Sequence, residues 1–248
     1  MNKVLLIIPA YNEEANIQMV VEELRDHYPE LDYVVVNDGS SDRTAQICRE
    51  RGFNLLDLPV NLGLAGCFQA GMKYAYYKGY PYAIQFDGDG QHRPEFIASM
   101  AEKMEEGYDI VIGSRFVDSK KDQGYDIVIG SRFVDQPKDM SVRMIGSRLI
   151  TAAIRLTTGV MVTDPTSGMR MFNREMIREF ALNINYGPEP DTVSYLLKQG
   201  AKIAEVPVRI AERAGGESYL KPVVAVRYMA RILISILLIQ NFRKRRKG

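Results

Sequence analysis

The chain has 248 residues, 46% of them hydrophobic and 25% charged, with a formal net charge of +1. That length suits one substantial α/β domain, and the composition excludes general disorder. The near-neutral balance excludes a nucleic-acid binder acting through overall charge, so no nucleic-acid partner is expected.

Apolar runs alternate with amphipathic stretches from the N-terminus, the pattern of a mostly parallel sheet flanked by helices. A strand is predicted at 4–8 and a helix at 13–28. A strand at 33–36 then runs into Asn37-Asp38-Gly39-Ser40-Ser41-Asp42, and a helix follows at 43–51, capped by Ser41 or Asp42. Next come a strand at 54–58, a helix at 63–78, a strand at 82–86 and a helix from about 94 to 106. Three of these strands end in polar loops, PAYNEE, VNDGSSD and DGDGQH. A parallel sheet brings such loops to one rim, where open α/β sheets bind ligands.

The third loop carries the sharpest chemical signal. Asp87 and Asp89 stand one residue apart at the end of an apolar strand. Two carboxylates so placed can share a hard divalent cation that already carries phosphate oxygens, Mg²⁺ or Mn²⁺. Asp and Gly also make ordinary turns; the convergence of three loops is what favours a site. No GxGxxG or GxxxxGK[ST] loop follows any strand, which disfavours dinucleotide and P-loop binding. Asp38, just past a β-branched strand, can accept hydrogen bonds from a base or ribose, or cap the next helix. His27 and His92 are too few for a histidine metal cluster; His27 reads as a surface residue near a helix end, and His92 lies beside the aspartate loop. No Ser/His/Asp or Cys/His set points to covalent catalysis.

The string GYDIVIGSRFVD occurs at 107–118 and again at 124–135, and the two 17-residue units, 107–123 and 124–140, agree at 14 positions. Two units do not make a solenoid, which needs at least three; the pair reads as a recent tandem duplication. Both copies carry the same strand, and the fold offers one sheet position for it. The first copy follows a helix through a tight turn at Gly107 and is expected in the sheet, supplying Arg115 to the site. The alternative places Arg132 there.

Two cysteines, Cys48 and Cys67, without CxxC spacing, fit a reducing compartment. The apolar run before Pro9 is too short for a signal h-region. At the other end, the apolar stretch 232–239, broken by Ser235, falls far below the ~20 residues of a spanning helix. The last eight residues, NFRKRRKG, carry five cations and no acid. An interfacial amphipathic helix with a polybasic tail is therefore expected over 223–248, placing the chain at the cytoplasmic face of an anionic membrane. The competing reading is a helix packed in a subunit interface with a solvated tail.

Seven stretches run in order from Val4 to about Ser218: VLLIIPAYNEE, VVVNDGSSDRT, NLGLAGCFQAGMKYA, QFDGDGQHRPE, VIGSRF, DPTSGMRMFNR and KIAEVPVRIAERAGGES. Together they resemble the GT-A glycosyltransferases of family 2, and among them the polyprenyl-phosphate sugar synthases. The resemblance implies one GT-A catalytic domain over 1–222, a nucleoside diphosphate sugar donor, a polyprenyl (undecaprenyl or dolichyl) phosphate acceptor, and Mg²⁺ or Mn²⁺. It places Pro9, Tyr11, Glu13 and Asp38 around the base and ribose, and Asp87, Asp89 and Gln91 on the metal. The arginine of VIGSR, Arg115 or Arg132, joins Arg143 and Ser147 at the acceptor phosphate; the latter two share a helical face by spacing. Arg213 and Ser218 match a loop that closes over the pyrophosphate. Relatives carry Lys after that serine, where this chain has Tyr219, with Lys221 two residues on.

An acceptor phosphate is already an anion, so it needs positioning and no general base, and direct attack inverts the anomeric carbon. A family member with a hydroxyl acceptor would need a carboxylate base, for which Asp164 and Glu189 are the candidates. A non-catalytic scaffold subunit would not need the intact Asp87, Asp89 and Arg213. Read without the resemblance, Asp164 is a cap or turn residue and Arg170 an ordinary surface ion-pair partner. A homo-oligomer or a small membrane-protein partner is left open.

Overall fold

The computed structural model describes residues 3–88, 90–115, 142–184, 186–209 and 222–240, with backbone alone at 142–143 and 222–224. Seven strands form one sheet: β1 (Val4–Ala10), β2 (Asp32–Asp38), β3 (Leu55–Leu58), β4 (Tyr82–Gln85), β5 (Ile110–Ser114), β6 (Arg170–Asn173) and β7 (Ile203–Pro207). Their order is β3-β2-β1-β4-β6-β5-β7. β6 runs antiparallel to both its neighbours, β4 and β5, and the other pairs are parallel. A reversed strand begins where its neighbours end, so the segment leading into β6 arrives at the rim formed by the carboxyl ends of β4 and β5.

The helices are α1 (Ile17–His27), α2 (Thr44–Glu50), α3 (Gly63–Lys78), α4 (Ile97–Glu105), α5 (Val142–Thr158), α6 (Arg174–Leu182), α7 (Pro190–Lys198) and α8 (Pro222–Ile234), which continues as a π turn over Ser235–Ile239. β1 shows why the sheet is covered on both faces. Leu5 and Ile7 join one core, with Phe68 and Met72 of α3, Ile150 and Ile154 of α5, and Ile177 and Phe180 of α6. Val4, Leu6 and Ile8 join the other, with Val20 and Leu24 of α1 and Met100 and Met104 of α4. A strand buried on both faces must be apolar at every position, hence Val-Leu-Leu-Ile-Ile. Phe68, Phe172 and Phe180 form a cluster with ring centroids 5.2–5.6 Å apart.

The strands of the first half lie where the sequence predicts them, with small shifts at their ends. Residues 13–16 do not open α1 as helix: they form a turn in which Asn16 N and Ile17 N both donate to Glu13 O. This turn is tied across the rim, where Glu13 N donates to Thr44 Oγ1 and Glu14 N to Asp42 Oδ2. The helix predicted from 94 begins as a 3₁₀ turn at Pro94–Phe96 before α4. Asp42 does serve α2 as expected, accepting from Thr44 N at 2.9 Å. His27 is the exposed last residue of α1.

The first copy of the duplicated string is the strand in the sheet. β5 pairs with β6 and β7, and it follows a turn at Gly107, whose φ of 91° is open to glycine at no steric cost. The second copy lies outside the described residues. α8 is packed against α5 and α7, with Ile232 and Ile236 inside the first core. Arg231 Nη2 pairs with Glu189 Oε2 at 2.7 Å, and Ser235 Oγ donates to Asp191 Oδ2 at 2.6 Å. No described helix is long and apolar enough to cross a membrane.

Candidate active site

The three strand-end loops meet at the rim and are stitched to one another. Asn12, the one described non-glycine residue at positive φ (55°), donates its N–H to Ser40 Oγ at 3.0 Å. Its own Oδ1 accepts from Ser41 N at 2.9 Å. Asparagine tolerates this left-handed backbone better than most residues. Gly39 (φ 64°) abuts the Val60–Asn61 peptide, where a methyl would stand 2.6 Å from Val60 C. On the other side, a methyl at Gly88 would stand 3.3 Å from Pro9 O, so the β4 loop lies directly against the β1 loop.

Pro9 sits near the end of β1, and Tyr11 is exposed beyond it. Glu13 Oε2 accepts from Asn16 Nδ2 at 2.9 Å. Asp38 is buried, and its Oδ1 accepts from Leu62 N at 2.7 Å. Of the two sequence readings, the cap applies to a different helix: Asp38 binds the residue that precedes α3, not the start of α2.

Asp87 follows β4, and its side chain is about one-third exposed (37%). Gln85 Nε2 donates to its Oδ1 at 3.1 Å. Its backbone N–H donates to His92 Nδ1 at 2.9 Å. Gln91 is half-buried beside them. Among the described residues no group of three His, Cys, Asp or Glu side chains could hold a metal. Asp89 lies outside the described residues, and an oxygen-only set of Asp87, Asp89 and Gln91 has the donor chemistry that Mg²⁺ and Mn²⁺ prefer.

A second cluster forms where the segment before β6 reaches the rim. Arg115, at the end of β5, donates from Nε to Asp164 Oδ2 and from Nη2 to Asp164 Oδ1, both at 2.6 Å. Arg115 N also donates to Asp164 Oδ2 at 3.0 Å, and Nη2 reaches Thr166 Oγ1 at 3.1 Å. Asp164 is fully buried. Ser147 of α5 is buried, with its Oγ 3.4 Å from Thr166 Oγ1. Glu205 of β7 supports the segment by accepting from Thr163 N and Asp164 N at 2.8 Å each. The structure therefore brings Arg115 and Ser147 to one place. The side chain of Arg143, and Arg132, Arg213, Ser218, Tyr219 and Lys221, lie outside the described residues.

Arg170 corrects the sequence reading. It is buried at 3% exposure in β6 and is no surface ion-pair partner. Its Nη2 donates to Pro165 O at 2.7 Å, while Nε and Nη1 find no partner among the described residues. Burial lowers its pKa, opposed by Tyr228, Asp164, Glu189 and Asp87 around it. Burial likewise pushes the Tyr228 hydroxyl up to about 12 and raises Glu189, the latter opposed by Arg231. Gln85, Thr166 and Gly168 also belong to the rim and were not singled out in the sequence. Their only signal was a polar residue inside an apolar strand and a glycine inside DPTSGMR.

This sheet order is that of the GT-A glycosyltransferase fold, and residues 5–180 match the family described as Glycosyl transferase family 2. The chain belongs to that family and is a glycosyltransferase. It is 31% identical over 225 residues to an undecaprenyl-phosphate mannosyltransferase of Micrococcus luteus, covering 87% of this chain and 86% of that one. It is 27% identical to a polyprenol monophosphomannose synthase of Mycolicibacterium smegmatis, covering 87% and 80%. Among solved structures, glucosyl-3-phosphoglycerate synthase from Mycobacterium tuberculosis, in complex with Mn²⁺, UDP and glucosyl-3-phosphoglycerate, superposes with a TM-score of 0.66. The identity there is 19%, with 99% of this chain and 82% of that one covered.

Proposed function

We propose that this glycosyltransferase transfers a sugar, with inversion, from a nucleoside diphosphate to a polyprenyl phosphate at the cytoplasmic face of a membrane. The observation that carries the reading is that the two candidate bases for a hydroxyl acceptor are already engaged in ion pairs. Asp164 is buried under a two-point ion pair with Arg115, and Glu189 is paired with Arg231. An acceptor that arrives as an anion needs neither of them. It needs donors, and the rim offers the hydroxyls of Ser147 and Thr166 beside Arg115, with Arg143 one turn before Ser147 on α5. The names of the two sequence relatives point the same way.

In this reading Pro9, Tyr11, Glu13 and Asp38 hold the base and ribose, and Arg213 and Ser218 attend the pyrophosphate. Asp87, Asp89 and Gln91 would hold Mg²⁺ or Mn²⁺, which neutralises charge on the departing nucleoside diphosphate. The structural neighbour's complex with Mn²⁺ and UDP supports that assignment. Arg143 and Ser147 orient the acceptor oxygen behind the anomeric carbon, so the protein's contribution there is alignment.

Access to a lipid acceptor is supported by the outer face of α5 and α8. Ile145, Leu149 and Leu156 on α5, and Val226, Ile234 and Leu238 on or just after α8, are exposed. The cationic residues 243–247 follow directly, each worth about 1 kcal/mol near an anionic surface. Incubation with a panel of radiolabelled nucleotide sugars and undecaprenyl phosphate, followed by lipid extraction, tests the proposal. Label in the organic phase is the expected result; label on a free saccharide, or no transfer from any donor, would refute it.

A further inference from the structure

The aspartate motif accounts for the presence of Asp87 but not for the aim of its carboxylate. That aim comes from groups behind it. Gln85 takes Oδ1 at 3.1 Å. His92 folds back over the turn so that Nδ1 accepts the Asp87 N–H. In a neutral ring the proton then sits on Nε2, which faces Asp87 Oδ2 at 3.5 Å. The imidazole is almost wholly buried and lies edge-on to Phe86 with centroids 5.6 Å apart.

The opposite wall is Gly168, which comes from the segment before β6, 81 residues away in the chain. A methyl at this position would stand 2.9 Å from Asp87 Oδ2 and 3.3 Å from His92 Nε2 and Cε1. The Gly168 backbone is not in the left-handed region, so conformation does not require glycine here. Space does: the missing side chain is what lets Oδ2 lie against the His92 edge. A carboxylate offers about four lone-pair sites, so these back contacts leave each oxygen one for a ligand in front.

We propose that His92 and Gly168 are positioning residues that set the direction of Asp87 toward a divalent cation. The proposal rests on the reading of the rim as a metal–diphosphate site. Neither residue touches the cation; both act through the Asp87 carboxylate, as outer partners of metal ligands do. Gly168 also ends the segment that carries Asp164 and Thr166, so the acceptor cluster and the metal carboxylate are braced by the same stretch of chain.

The test is Mn²⁺ binding to the full chain in the presence of UDP or GDP, followed by electron paramagnetic resonance of the free ion, with Gly168→Ala and His92→Asn as variants. Asparagine keeps an acceptor near the Nδ1 position, so the turn survives while the Nε2 edge is lost. Each variant is expected to weaken Mn²⁺ binding about 10- to 100-fold while melting at the wild-type temperature without metal. Wild-type Mn²⁺ affinity in a folded Gly168→Ala protein would overturn the proposal; should that variant fail to fold, wild-type affinity in His92→Asn would do so. A wild-type chain that binds no Mn²⁺ with either nucleotide would instead overturn the metal reading itself.

Discussion

Replacing Arg115 with alanine strips a fully buried carboxylate of its cation. Asp164 would keep the Arg115 N–H and the Thr166 hydroxyl but lose two charge-assisted bonds of 2.6 Å. Breaking one side of a buried pair costs about 3–5 kcal/mol. Arg115 is partly exposed, so water can enter where it leaves, and the lower end, about 3 kcal/mol, is expected. For a domain of this size that is a fall in melting temperature of about 6–12 °C. Removing both partners as Arg115→Met/Asp164→Leu should cost less than Arg115→Ala alone, because no buried carboxylate is left without its cation, although Arg170 loses one of the charges that offset its burial. Arg132→Ala, in the second copy, should change stability by less than about 0.5 kcal/mol. Differential scanning calorimetry of the four proteins, with transfer assays on each, decides the matter. Equal melting temperatures for Arg115→Ala and Arg132→Ala would refute the assignment of the structural role to Arg115.

Asp89→Ala is expected to abolish transfer with little change in melting temperature; full activity in chelated buffer would count against metal dependence. Arg143→Ala should raise the apparent KM for the lipid phosphate and leave nucleotide affinity unchanged in titration calorimetry. Deleting residues 241–248 should release the protein from anionic liposomes and remove the salt sensitivity of binding. A cut after Tyr228 would not test this, since it also removes Ile232 and Ile236 from the core. Stability should fall as pH rises from about 9 to 12. Cys48, Cys67, Tyr80 and Tyr228 are raised to about 11, 12, 12 and 12. They stay protonated in the fold while the unfolded chain releases protons from about 9 to 10, which favours unfolding. A flat melting temperature over that range would contradict it.

The first four strands were legible as short apolar runs, three of them closed by polar loops, and parallel geometry alone sends those loops to one rim. β6 was not, and its residues show why. Four positions long and opening on Arg170, it lacks the apolar run expected of a strand with neighbours on both sides. The partners of that buried arginine are Pro165 O and the charges of Asp164, Glu189 and Asp87, none adjacent to it in sequence. The site divides in the same way. Asp87, Gln91 and His92 form one local motif, readable as a string. The Arg115–Asp164 pair and the approach of Gly168 to Asp87 exist only once β6 is inserted between β4 and β5.

The position of β5 also gives the duplicated string an unusual standing. The extra 17-residue unit adds to the connection between Arg115 and Val142. The chain thus holds a spare copy of one of its own core strands, identical over twelve residues from Gly107 to Asp118. The spare carries its own turn glycine, Gly124, and its own terminal arginine, Arg132. A mutation that ruins Ile110 or Ile112 need not be final in such a chain. A shift by one unit would offer Ile127 and Ile129 to the same slot, moving the added length to the connection before the strand. Redundancy of this kind lets selection explore one copy while the other keeps the sheet closed.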